Sequence, residues 1–310
     1  MPGIQVAPVA IAGDGQPPRR ALAQRDGRPA ATRKLVTGSR PIQAIGVAAI
    51  AVGTLVALLL NGFVRFNYPS ESGYPVRGID VSHHQGEIDW QKVGQAGIAF
   101  AFIKATEGVD VRDRQFDNNW AAANAAGLQR GGYHFFTFCS PGKRQALNFI
   151  AAMPPGQQVL PPAVDVEFDG NGADPPPSTT IRGELSEFLL RIEAAYGVTP
   201  IMNATRDAYT EILAGHFPAH AVWARNVFSE PRLTDGRDWI LWQYADRGRV
   251  PGVATLVDLN VFRGSADAFE SFAKDGRQRQ TVRFLPGSGI ARLDTLSVCA
   301  DASPSGTVAQ

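Results

Sequence analysis

At 310 residues the chain is long enough for one large domain with appendages, and 44% hydrophobic with 19% charged residues is the balance of an ordinary globular protein. Its 30 basic and 29 acidic side chains nearly cancel, so the bulk charge excludes nothing globular and gives no reason to expect nucleic acid as a partner. Two cysteines, Cys139 and Cys299, make no metal-ligand spacing and no disulfide framework; one bridge between them and two free thiols both stay open.

The near-neutral total hides a basic start. Residues 1–40 carry Arg19, Arg20, Arg25, Arg28, Arg33, Lys34 and Arg40 against Asp14 and Asp26, in a background of Pro, Gly, Ala and Gln, which predicts a disordered head. From Pro41 to Val64 no charge interrupts the run, and about 20 apolar residues in a helix cross a hydrocarbon core of about 30 Å. The span 41–64 therefore reads as a transmembrane helix. A cleaved signal would have a shorter head, a shorter apolar core and a better cut than "LNGFVRF". A buried core helix is the plainer alternative. The positive-inside rule predicts a cytoplasmic head and an outer face for everything after Val64. Residues 65–75, with "NYPSESGYP", read as a linker.

From Val76 onward short apolar runs alternate with helical patterns. "VRGIDVS", "IAFAFIKAT", "RGGYHFFTF", "PPAVDVEF", "TPIMNAT", "HAVWARNV", "WILWQYA" and "VATLVDLNVF" predict eight strands. "DWQKVGQAG", "RQFDNNWAAANAAG", "PGKRQALNFIAAM", "STTIRGELSEFLLRIEAAYG" and "RDAYTEILAG" predict helices, the fourth capped by Ser178 or Thr179 and stopped by Gly197. The fold class is α/β: a TIM-like β/α barrel with an incomplete helix ring over residues 76–276, preceded by one transmembrane helix. The polar tail 277–310 holds one apolar patch, "ARLDTLSVC".

The stretch "AVDVEFDG" puts Asp165, Glu167 and Asp169 at alternate positions, hence on one face of a strand. Burying such acids costs several kcal/mol unless they are paired, hydrogen-bonded or protonated. Asp80 ends the first strand and Asp258 lies late in the last, so four acids, Asp80, Asp165, Glu167 and Asp258, are expected at the mouth where barrel active sites form. Singly, a strand-end Asp is as well explained by capping a turn. Together they raise one another's pKa, leaving one protonated and one ionised, as glycoside hydrolysis requires. Neighbours at i and i+2 suit retention of configuration. Tyr133, Phe135, Trp223, Trp242 and Tyr244 fall on predicted strands, where sugar stacking and core packing are the competing readings.

In chain order, "GIDVSHHQGEIDW" (78–90), "FAFIKATEG" (100–108), "AGLQRGGYHFF" (126–136), "AVDVE" (163–167) and "LWQYADRGRVPGVATLVDLNVF" (241–262) resemble the successive motifs of the glycoside hydrolase family 25 muramidases. The resemblance implies a β/α barrel that cleaves the β-1,4 bond between N-acetylmuramic acid and N-acetylglucosamine in peptidoglycan without metal or other cofactor. It implies Glu167 as general acid and Asp165 as the carboxylate that steers the substrate's acetamido group or attacks as nucleophile. Asp80 and Asp258 then tune that pair. Tyr133 matches the cleft tyrosine, Lys104 and Glu107 lie in a motif near the mouth, and His84, Trp242 and Tyr244 are the remaining expected substrate contacts. The sequence departs from the family pattern at Met202 and Asn203 and in "VWARNVFSE".

Two other functions fit some of the same residues. His83 and His84 with Asp80 and Asp165 could hold a divalent metal for polysaccharide deacetylation, provided both imidazoles turn inward. A membrane-tethered wall-binding module without catalysis is the third reading, against which stands the intact acid pair. A tether would confine a hydrolase to nearby wall, so local remodelling, or opening of the wall for another assembly, is expected rather than secreted attack on other cells.

Overall fold

The computed structural model describes residues 39–64, 67–156 and 160–278. Residues 1–38 of the predicted basic head, the apolar patch at 291–299 and Cys299 lie outside the described residues. Cys139 is disulfide-bonded.

The chain divides into two compact units, Met1–Ala49 and Ile50–Gln310. What is described of the first is the beginning of helix α1 (Ser39–Leu60). Within that helix Gln43–Leu60 is long and apolar enough to cross a membrane, and none of it is buried.

Among the described residues the second unit contains nine strands: β1 (Arg77–Val81), β2 (Ile98–Glu107), β3 (Val111–Arg112), β4 (Gln129–Phe135), β5 (Ala163–Val166), β6 (Ile201–Thr205), β7 (Val222–Arg225), β8 (Leu241–Gly248) and β9 (Val257–Phe262). They pair in the order β1-β9-β8-β7-β6-β5-β4-β2-β3, and an additional β1–β2 pairing closes eight of them into a barrel. The short β3 hangs outside the ring as the return arm of a hairpin on β2, with Glu107 opposite Val111. From β1 through β8 neighbouring barrel strands run parallel, but β9 is antiparallel to both β8 and β1. The all-parallel ring of a TIM-like barrel is thus broken at one strand.

Helices α2 (Trp90–Gln95), α3 (Phe116–Ala125), α4 (Gly142–Ala152) and α5 (Ser178–Tyr196) follow β1, β3, β4 and β5. After β6, α6 (Arg206–Ala208) runs directly into a π turn, Tyr209–Leu213. No helix separates β7 from β8 or β8 from β9 among the described residues. Gly197 ends α5 in the left-handed region at φ 70, which a residue without Cβ adopts freely. The expected cap at Ser178 or Thr179 is not formed. The N-cap is Pro177, whose lack of a side-chain acceptor leaves the first turn without one.

Alternation along the strands sorts the core into two layers. Val164, Val166, Met202, Ala204, Val222, Ala224, Trp242 and Tyr244 face outward against the helices and the covering segments. Phe100, Phe102, Ala163, Ile201, Trp223, Leu241 and Phe262 fill the barrel interior. Helix α7 (Ala266–Gln278), which the sequence reading left out, covers the lower end of that interior with Phe269 and Ala273. Phe269 lies 5.3 Å from Phe100 and 5.2 Å from Phe262, centroid to centroid. On β4 a Cβ at Gly131 would stand 2.5 Å from the Phe102 ring and one at Gly132 2.4 Å from the Met153 sulfur, so both faces of "RGGY" are packed to the backbone.

The segment read as a linker lies along the barrel. Asn67 Nδ2 donates to the carbonyls of Val227 and Tyr244 at 2.6 and 2.8 Å. Tyr74 stacks on Trp239 at 6.0 Å.

Candidate active site

Strand register brings the site together. Phe135 pairs with Asp165, Asp165 with Asn203, and Asn203 with Trp223, so a row of inward side chains crosses β4 to β7. Paired residues of neighbouring strands share a face, and Glu167 and Arg225 stand two positions further on, nearer the mouth. Asp80 is the cross-strand partner of Asp258. Asp258 was expected late in its strand, but it is the second residue of β9. It reaches the same mouth because β9 enters from that end, running against its neighbours.

These residues line a cleft of about 400 Å³ that takes in Asp80, Asp165, Glu167 and Asp258 together with Tyr133, Lys104, Glu107 and His84. Phe135 and Trp223 form part of its wall as well as part of the core. Trp242 and Tyr244, expected as substrate contacts, are not among the lining residues. Both are buried on the outer face of β8, where Trp242 Nε1 donates to the Asn226 carbonyl at 2.8 Å and Tyr244 meets Tyr68 edge-on at 5.4 Å. The residue between them, Gln243, points in and lines the cleft. The same alternation on β6 sends Met202 into the outer core and Asn203 into the cleft.

Glu167 follows the last residue of β5, and its position is set by Asn171. Asn171 Nδ2 donates to the Glu167 carbonyl at 2.8 Å and to the Phe136 carbonyl at 3.1 Å, while its Oδ1 accepts from Phe138 N at 2.7 Å. Arg225 Nη1 donates to Glu167 Oε2 at 2.9 Å. Burial nevertheless dominates and raises the Glu167 pKa, with Asp169 and Asp80 adding to the rise and Arg225 opposing it. Asp165 is raised well above the usual carboxylate range, first by burial, then by the charges of Glu167 and Asp80. Its Oδ1 is buried without a hydrogen-bond partner among the described residues.

The Asp80–Asp258 pair is knit differently. Trp223 Nε1 donates to Asn260 Oδ1 at 2.8 Å, and Asn260 Nδ2 donates to Asp80 Oδ2 at 2.7 Å. The two carboxyls hydrogen-bond each other, with burial pushing Asp80 up to about 6 and Asp258 well above its ordinary value. A proton held between them keeps two facing acids from both being charged. Tyr133 is likewise raised well above its usual range by burial and by Asp80, Asp165 and Asp258, so its hydroxyl stays protonated and can donate. Lys104 Nζ pairs with Glu107 Oε2 at 2.7 Å and sits over the Phe135 ring at 4.8 Å.

The two histidines sit in a 3₁₀ turn, His83–Gln85, closed by a capping box between Ser82 and Gln85, with their rings 4.1 Å apart centroid to centroid. His83 turns aside, with Nδ1 and the backbone N–H both 2.8 Å from Asp113 Oδ2. His84 lines the cleft, and burial lowers its pKa, assisted by His83 and Lys104. The metal-dependent reading needed both imidazoles inward, and this geometry does not provide it. Among the described residues no group of three or more His, Cys, Asp or Glu side chains could hold a metal ion.

Arg225, Gln243 and Asn171 were missed as site residues. An arginine two positions after Trp223 on a barrel strand must share that residue's inward face, a signal that was available. Asn171 acts through the backbone, and nothing in its spacing from Glu167 announces that.

Residues 79–253 match the family model of the glycosyl hydrolases family 25. Lysozyme M1 of Streptomyces globisporus is 36% identical over 206 residues, covering 62% of this chain and 69% of that protein. Among solved structures, a family 25 glycosyl hydrolase from Bacillus anthracis superposes with a TM-score of 0.64 at 38% identity, covering 68% of this chain and 100% of that one. The bacterial lysozyme from Streptomyces coelicolor gives a TM-score of 0.59 at 32% identity over 65% of this chain and 98% of that one. With the family model spanning more than half of its length, this chain belongs to the glycosyl hydrolases family 25 and is a glycoside hydrolase.

Proposed function

We propose that the protein is a muramidase that hydrolyses the β-1,4 bond between N-acetylmuramic acid and N-acetylglucosamine in peptidoglycan, with Glu167 as general acid and Asp165 as the assisting carboxylate. The observation that carries this reading is the Asp165–Glu167 pair itself: two carboxyls two positions apart at the end of β5, lining one cleft, both with pKa values raised chiefly by burial, that of Asp165 raised further by the charge of Glu167. Such a pair holds one proton near neutral pH.

Glu167 gives that proton to the glycosidic oxygen as the bond to the anomeric carbon breaks. The acetamido oxygen of the same sugar closes on the anomeric carbon from the opposite face, while Asp165 accepts the amide N–H and offsets the growing positive charge. The buried, unpartnered Asp165 Oδ1 suits that acceptor role. Water then opens the cyclic intermediate, its proton returning to Glu167, and configuration is retained. Direct attack by Asp165 on the anomeric carbon balances equally well and gives the same stereochemistry. Asp80 and Asp258, sharing a proton, limit the negative charge facing the pair, and Tyr133 supplies a neutral donor.

The apolar span Gln43–Leu60 supports a tether in the cytoplasmic membrane with the barrel on the outer face, where peptidoglycan lies. A tethered muramidase acts on nearby wall and so serves local remodelling. Digestion of purified peptidoglycan by the full chain in detergent, followed by mass spectrometry of the new reducing ends, tests the proposal. Muramic acid ends are expected. Glucosamine ends, anhydro ends or deacetylated sugars without chain cleavage would overturn it.

A further inference from the structure

Beside the cleft lies a second hollow of about 230 Å³. Lys104 and Glu107 line both, so their ion pair forms the wall between the two spaces. The far side is built by β3 and the residues after it: Val111, Arg112 and Arg114. The acids here are already engaged. Glu107 holds Lys104, and Asp113 accepts from His83 through Oδ2 and from the Gln115 N–H through Oδ1 at 2.8 Å. Arg112 is paired with Asp117 at 2.7 Å, but on the exposed side, where solvent weakens the bond. Arg114 is exposed and forms no ion pair among the described residues. The hollow therefore presents guanidinium groups not matched inside it, beside the half-exposed side chain of Val111.

A chain of N-acetylated hexoses whose lactyl carboxyls are all held in amide bonds is neutral and has nothing for these cations to recognise. The anions of a peptidoglycan strand are carried on its substituents: carboxylates of the stem peptide attached to the lactyl ether of muramic acid, and phosphates of polymers esterified to sugar hydroxyls. We infer that the hollow beside the cleft is a binding site for an anionic substituent of the glycan, gripped by Arg112 and Arg114 while the sugar it hangs from occupies the cleft. This rests on the muramidase reading and adds to it: the preferred substrate is the substituted strand, not bare glycan. Guanidinium forks match both carboxylate and phosphate, so the source is decided by the substrate used. The aliphatic start of a stem peptide suits Val111.

The test is steady-state kinetics of the full chain in detergent micelles, comparing the wild type with the Arg112→Ala/Arg114→Ala double variant and with Arg114→Glu. Four substrates are used: native strands, strands stripped of stem peptides by an amidase with the freed lactyl carboxylates converted to amides, strands stripped of phosphate polymers, and strands stripped of both in the same way. On native strands at low salt the double variant is expected to raise KM by about five- to tenfold, with kcat changed less than about twofold, and Arg114→Glu to raise it further. The difference should shrink as salt rises. If it vanishes on peptide-free strands, the ligand is the stem carboxylate; if it vanishes on polymer-free strands, it is the phosphate. Equal KM for variant and wild type on native strands, or an equal rise on strands bare of both, overturns the proposal. Wild-type cleavage of bare strands reports on the muramidase reading separately, since failure of that reading would abolish turnover on every substrate.

Discussion

Arg225 Nη1 lies 2.9 Å from Glu167 Oε2, an ion pair across neighbouring inward positions of the barrel mouth. It works against the role proposed for Glu167, because a guanidinium favours the charged carboxylate while a general acid must hold its proton. Burial outweighs it, and the Glu167 pKa is raised on balance. Arg225→Ala removes the opposing influence, so the Glu167 pKa should climb further. The basic limb of the kcat/KM profile, which reports the general acid of the free enzyme, is expected to move up by about one pH unit. A purely structural loss would lower the whole profile without moving its limb.

Asp80 links the site to stability. Its pKa rises from 3.8 in the unfolded chain to about 6 when folded, chiefly through burial. For a raised acid the folded state is favoured by the proton, so stability is greatest below about pH 4 and falls as pH climbs to about 6, where the loss levels off. Asp80→Asn removes that loss. At pH 7 the variant is expected to be up to about 3 kcal/mol more stable than the wild type by thermal unfolding, with the difference fading below about pH 4. Greater wild-type stability at pH 7 would contradict the assigned direction.

Two tryptophans separate wall from core. Trp223 lines the cleft and holds Asn260, which in turn holds Asp80. Trp223→Phe should therefore lower kcat/KM by about tenfold or more, because the Asp80–Asp258 pair loses its support. Trp242→Phe breaks the bond to the Asn226 carbonyl in the outer layer. It should cost about 1–3 kcal/mol of stability while leaving KM within about twofold.

The proposed tether makes its own prediction. Deleting residues 43–60 should move the protein from the membrane pellet to the soluble fraction without altering kcat on purified wall. A full chain that washes off membranes with salt or carbonate would remove the anchor.

The strands were legible because a closed barrel buries both faces of each one, giving compact runs of Val, Ile and aromatics between Gly-rich turns. That same double burial hid which face was which on β8. In "LWQYADRG" Trp242 and Tyr244 look like the site residues and Gln243 like the gap between them, yet register puts Gln243 inward. The direction of β9 was equally hidden: Asp258 was grouped with Asp80, Asp165 and Glu167, which line one cleft with it, by its acid character and motif, not by a position that an all-parallel barrel would have explained. Helix α7 could have been found. Ser265 accepts the Ala268 N–H as a cap, and Phe269, Phe272 and Ala273 recur at helical spacing. The acid pair was legible because alternation along a strand fixes which side chains share a face, whereas the Asn171 anchor depends on a loop closing back on the Glu167 carbonyl.

Glu167→Gln tests the central claim most directly, measured on purified peptidoglycan as both turnover and co-sedimentation with the wall. The neutral amide keeps the shape of the cleft but cannot give up a proton. Turnover should drop by about a thousandfold or more while the fraction bound to wall stays at the wild-type level. A variant that still releases muropeptides at a tenth of the wild-type rate or faster would contradict the assignment.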